Sequence, residues 1–140
     1  VYLDRFLNTP PAPVPEPGDG DPDADPEAIR EEILACFDQE GEVNRAVRLA
    51  SEHFDAGGDP DELRATMGEG LLREDAGFHT LQSVEAGFAQ FERATTERER
   101  RLAPLAPVRY MAAHFPTRRE HEQTFSIAAR LQRGERIHEG

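Results

Sequence analysis

Residues 25–37, DPEAIREEILACF, and residues 59–72, DPDELRATMGEGLL, open in the same way 34 positions apart. In each, an aspartate supplies an oxygen for the free N–H groups of a helix start, and a proline takes the first helical position, where no N–H is needed. An acid in the first turn then faces the positive end of the helix. Superposing the two starts brings Ile29 onto Leu63, Ile33 onto Met67 and Phe37 onto Leu71. The match continues with Val47 on Leu81, Ala50 on Val84 and Phe54 on Phe88. A repeat of this period is the length of one helical hairpin. The small-residue and proline pattern of tetratricopeptide modules is not reproduced in register, so the reading is stacked antiparallel helical hairpins without that name.

Working outward, the first helix runs from Pro26 with Ile29, Ile33, Leu34 and Phe37 on one face, and Gly41 ends it. The second starts near Glu42, turns Val43, Val47, Ala50 and Phe54 inward, and closes at Gly57-Gly58, where a left-handed cap is easily formed. The third carries Leu63, Met67, Leu71 and Leu72, and the fourth Phe78, Leu81, Val84, Phe88 and Phe91. TTERERR (95–101) reads as a polar connection. The fifth helix is expected to begin near Pro107, because an earlier start places a proline in its interior. Thr117-Arg118-Arg119-Glu120 reads as a capping box opening a sixth helix, with Phe125, Ile127, Ala128 and Leu131 inward and Gly134 as its stop. No strand-like alternation occurs, so the fold class is all-α, with about six helices.

Before this domain (26–134) the composition changes. Residues 9–25 are crowded with proline, glycine and aspartate, and read as an extended or mobile linker. Residues 1–8, VYLDRFLN, have apolar side chains at positions 2, 3, 6 and 7 and no cap, as at the end of a truncated helix, and 135–140 form a tail. A net charge of −12, from 28 acidic and 16 basic residues, disfavours nucleic acid and anionic membrane as partners, since phosphate binding needs a basic surface. Every basic residue is arginine, which with the acidic excess suggests a GC-rich genome or a salt-loving source. Arg118, Arg119, Arg130, Arg133 and Arg136 form a locally basic stripe, expected to pair with acids. One cysteine, Cys36, excludes an internal disulfide and too few thiolates remain for an iron-sulfur cluster within this chain. There is no apolar run of membrane length and no export signal, so a cytoplasmic location is expected.

Chemistry concentrates in LREDAGFHTLQSVEAG (72–87), which gathers Glu74, Asp75, His79, Gln82 and Glu85. On one continuous helix Asp75, His79 and Gln82 share a face, and a carboxylate one turn from an imidazole can hold a divalent ion or fix a histidine tautomer. A third ligand would come from Glu85, His114 or His121. The alternative is that Asp75 caps a helix near Gly77 while His79 makes one buried hydrogen bond. His53 is expected to face solvent, and His138 to lie in the tail. No phosphate loop, nucleophile elbow, paired Cys-x-x-Cys or His-Glu-x-x-His is present.

YLDRFLNTPPA (2–12), residues 72–87, RYMAAHFPT (109–117) and QTFSIAARLQRGE (123–135) together resemble the C-terminal helical region of long bacterial and archaeal proteins that carry a Rieske-type ferredoxin domain elsewhere. That helical part is in turn related to questin-oxidase-like proteins. The resemblance implies a helical domain of a larger, redox-associated oxidoreductase-like protein. Its recurrent positions are Asp75, Phe78, His79, Gln82, Glu85, His114 and Gln123. On this reading His79, Asp75 and Glu85 are the candidate catalytic or ligand groups, with Gln82 and Gln123 beside a cofactor and His114 as a further metal ligand, and His121, which is not among the recurrent positions, is added as a candidate metal ligand from the residue pattern alone. A divalent metal is the candidate cofactor. The Rieske pairs Cys-x-His and Cys-x-x-His are absent, so any cluster would sit on a missing N-terminal part of the polypeptide or on a redox partner protein. The rival reading is a noncatalytic helical scaffold that binds a protein partner.

Overall fold

A computed structural model describes residues 13–135, and these are all-α. In order, the helices are α1 (Pro26–Phe37), α2 (Val43–Asp55), α3 (Pro60–Arg73), α4 (Phe78–Arg93), α5 (Glu97–His114) and α6 (Glu120–Gln132). The helix end expected at 1–8, linker residues 9–12, Arg136 and His138 fall outside the described residues.

Both Asp-Pro starts act as the sequence indicates. Asp25 accepts the Glu27 N–H at 3.0 Å and Asp59 the Asp61 N–H at 2.8 Å. From those starts α1 packs on α2 and on α3, α4 packs along α5, and α5 crosses back onto α2. The shared core holds Ile33, Leu63, Met67, Val108 and Met111, all fully buried. At such sites truncation to alanine typically costs about 2–5 kcal/mol. The repeat survives in burial at Ile29 with Leu63, Ile33 with Met67, and Ala50 with Val84. It breaks at Val47 with Leu81, because Leu81 is 57% exposed.

Helix α5 begins ten residues before the expected Pro107. TTERERR is its cap and first turn: Thr96 accepts the Glu99 N–H, and the Glu99 carboxylate accepts the Thr96 N–H. Pro104 and Pro107 therefore lie inside the helix, each removing one backbone donor. Tertiary packing overrides the local penalty. Both rings are buried, and Gly87 of α4 lets the α5 backbone come so close that a Cβ there would stand 2.6 Å from Pro107 Cγ and 3.1 Å from the Ala103 carbonyl oxygen. That carbonyl is the one left without its helical donor by Pro107.

His53 is fully buried, not solvent-facing as expected. Its Nε2–H donates to the Asp59 carbonyl at 3.0 Å, tying the end of α2 to the cap of α3. The turn can close over the ring because residue 58 is glycine: a Cβ there would lie 2.2 Å from His53 Cε1.

The stretch before α1, described from Pro13 onward, bends through turns closed by the Asp19 N–H on the Glu16 carbonyl and the Ala24 N–H on the Asp21 carbonyl, and it is pinned to the helices. Gly18 and Gly20 donate their N–H groups to the Asp55 carboxylate at 2.8 and 3.0 Å, and the Pro13 carbonyl accepts from Arg109 at 2.6 Å. Arg101 pairs with the same Asp55. Burial pushes Asp55 up, but the Arg101 guanidinium and the two glycine amides outweigh it and hold the carboxyl below its ordinary value.

Helix α6 departs furthest from expectation. None of its residues is buried, and the face expected to enter the core includes Phe125, Ile127 and Leu131 at 75%, 43% and 56% exposure. Leu72 and Phe78, also expected inward, are 89% and 69% exposed.

Candidate functional site

The segment between α3 and α4 does not continue either helix through Asp75. Helix α3 ends at Arg73, α4 starts at Phe78 with Gly77 as its cap residue, and Glu74 to Ala76 cross between them. Asp75 therefore does not share a helical face with His79 and Gln82. Its side chain reaches 45 residues ahead instead. One oxygen accepts the Glu120 N–H at 2.6 Å and the other the His121 N–H at 2.9 Å, so Asp75 caps α6 from outside that helix. The two backbone donors hold its carboxyl below the usual aspartate value. His121 Nδ1 also lies 3.0 Å from Asp75 Oδ1.

Glu74, beside it, is buried. Its carboxylate accepts the Thr117 N–H and hydroxyl, each at 2.6 Å, and the Arg119 Nε and Nη2 at 2.7 and 2.5 Å. Arg119 bridges onward to Asp38 at the end of α1, and these two carboxylates, Glu74 first, raise its pKa above the ordinary arginine value. Thr117 thus spends its hydroxyl on Glu74 and accepts the Asp75 N–H at 2.9 Å. The capping box expected at Thr117–Glu120 does not form. Arg119, at φ 53°, is the cap residue, and the side-chain acceptor arrives from Asp75.

The other expected site residues are dispersed. His79, Gln82 and Glu85 are exposed and border one shallow groove on α4 together with Leu81, Ser83 and Ala86. His114 ends α5, where it stacks on Tyr110 with ring centroids 4.1 Å apart and bonds through Nδ1 to the Tyr110 carbonyl at 2.7 Å. Gln123 is exposed on α6 and reaches the Arg118 carbonyl at 3.5 Å. Among the described residues no three His, Cys, Asp or Glu side chains gather in a metal-holding arrangement. The contact that does form, Asp75 with His121, joins two of the expected ligands.

Sequence reading missed Glu74, Thr117, Arg119 and Asp38 as one network, and Asp55 with Arg101 as the anchor of the leading strap. Each pairing spans at least 35 residues, and no local pattern announces it. A cavity of about 320 Å³ lies between that strap and α2, lined in part by Asn44, Arg48, Ser51 and Glu52, and it involves none of the expected site residues. Compared with known protein families, curated proteins and solved structures, the chain matches none of them.

Proposed function

We propose that this chain is a noncatalytic helical-hairpin scaffold whose surface around α6 and the start of α4 binds protein. One observation carries the reading: α6 buries no residue, yet presents Phe125, Ile127 and Leu131, and the segment that caps it at Asp75 leads directly into the exposed Phe78 at the start of α4. A helix with a broad apolar arc gains little alone in water, because most helical stability comes from burying that arc. Exposed apolar surface of this extent marks interaction sites on soluble proteins. The test uses an apolar fluorescent dye such as ANS. The chain should bind it, and Phe125→Asp with Leu131→Asp should remove most of the signal without loss of helical circular dichroism. Absence of dye binding at α6 sinks the reading.

A second reading keeps the redox-associated domain suggested by the sequence resemblance. What favours it is the Asp75 and His121 contact, two potential ligands at one exposed junction that another segment could complete around a divalent ion. Metal analysis of the purified chain tests it. Stoichiometric zinc, iron or manganese that is lost in His121→Ala would support this reading over the scaffold.

A further inference from the structure

Independently of the α6 surface, we propose that the cavity between the leading strap and α2 binds a free amino acid with an apolar side chain, taken up as its zwitterion. At about 320 Å³ the cavity falls at the lower end of the range of small-molecule sites, roughly 300–1,000 Å³. Its polar side comes from α2, where Asn44, Arg48, Ser51 and Glu52 recur at helical spacing and all border it. Ser51 is 3% exposed, yet its hydroxyl has no hydrogen-bond partner among the described residues. Hydroxyls so deeply placed ordinarily have one, and the missing partner points to a ligand atom. Arg48 and Glu52 stand one turn apart, a spacing at which opposite charges commonly pair, but they form no ion pair with each other. A cation and an anion are thus held apart on one wall. Arg109 fixes the third group: it donates to the Asn44 side-chain oxygen at 3.2 Å and to the Pro13 carbonyl at 2.6 Å. The Asn44 amide keeps its N–H groups for another acceptor.

The strap supplies the facing wall, with Pro13, Val14 and Pro15 as its apolar part. Gly20 seats it, since a Cβ there would stand 2.9 Å from Glu52 Cα. Charge then selects the ligand class. A simple carboxylate meets Arg48, Asn44 and Ser51 but faces Glu52, and a simple amine meets Glu52 but leaves Arg48 without a partner. Either mismatch desolvates a charge that nothing pairs. An amino acid presents both groups at once, its carboxylate to Arg48, Asn44 and Ser51 and its ammonium to Glu52, with the apolar side chain against the prolines. Because one wall is the strap, ligand binding and strap closure stabilise each other.

The experiment is an NMR titration of the full 140-residue chain with L-valine and L-leucine. The controls are isovalerate, which is valine without its amine, and isobutylamine, which is valine without its carboxylate. The amino acids should shift the amides of α2 between Asn44 and Glu52 and that of Gly20, saturating at millimolar concentration or below. Each control should bind about 10-fold more weakly or worse than valine, since a charge-assisted contact is lost. Arg48→Gln should weaken valine by about 10-fold and Ser51→Ala by about 5-fold, both with unchanged helical circular dichroism. Asp55→Ala, which frees the strap at Gly18 and Gly20, should weaken it as well. No shift of these amides by either amino acid would overturn the site. Isovalerate or isobutylamine binding as tightly as valine would overturn the zwitterion, and affinity unmoved by both Arg48→Gln and Ser51→Ala would overturn the placement.

Discussion

Glu74→Ala should detach α6 without unfolding the rest of the protein. The Glu74 side chain is 1% exposed and meets Thr117 and Arg119 through four hydrogen bonds. Removing one member of a buried, hydrogen-bonded ion pair costs about 3–5 kcal/mol when the other is stranded. Arg119 is not fully stranded, because a third of its side chain meets water and Asp38 remains. A loss of about 2–3 kcal/mol is therefore expected, equal to roughly a 30- to 150-fold increase in local opening. That opening should be confined to α6, which has no buried side chain to couple it to the core and, at 13 residues, is marginal as a free helix. Hydrogen exchange read segment by segment is the assay. Amides of α6 should exchange faster by that factor while those of α1, α3 and α5 keep their protection. Equal acceleration across the chain, or none in α6, would refute the claim that this polar junction alone holds the helix.

Acid should loosen the same junction. The Asp75 pKa is depressed in the folded state, so its contribution is complete above the unfolded value and fades as pH falls through the lower folded one; Glu120 and His121 amide resonances should move only below about pH 4. Gly87→Ala should destabilise by about 1–3 kcal/mol in chemical denaturation, because the added methyl meets a rigid proline ring at 2.6 Å. Gly68→Ala, with open space around it, should instead stabilise by up to about 1 kcal/mol, and similar signs for the two would contradict the packing described for α4 and α5. In limited proteolysis the strap from Pro13 to Asp25 should resist cleavage in the native chain and be cut readily in Asp55→Ala, which removes the acceptor for Gly18 and Gly20.

What could be read from sequence was what is encoded within a few residues. The Asp-Pro caps of α1 and α3 depend only on their own first turns, and the apolar spacing of Ile29, Ile33, Leu63 and Met67 follows from helical period. The misplaced start of α5 shows where such rules stop. Pro104 and Pro107 are poor helix residues by any local criterion, and the groove that accommodates them exists because a glycine stands at position 87 on another helix. His53 reads as solvent-facing among Glu52 and Asp55, and is buried because Gly58 lets the chain fold over it. For α6 the pattern itself is mute: Phe125, Ile127 and Leu131 have the same spacing whether or not anything covers them.

The candidate site divides along the same line, and the division bears on function. Asp75 looked like chemistry because it stood near His79, yet both of its oxygens already accept backbone N–H groups from the first turn of α6. A divalent ion at Asp75 and His121 would have to take electron pairs now serving Glu120 and His121, so metal binding and capping compete for one carboxylate. Glu74 is committed still more fully, with Thr117 and Arg119 occupying it inside the fold. The polar groups at this junction are thus engaged in holding α6 in place. Among the side chains that α6 and the start of α4 leave mostly exposed are the apolar Phe78, Phe125 and Leu131. On the proposed scaffold function, an exposed amphipathic helix fixed at the edge of the fold by a buried acid and an external cap is a positioned surface, and covering its apolar side chains is what would supply binding free energy.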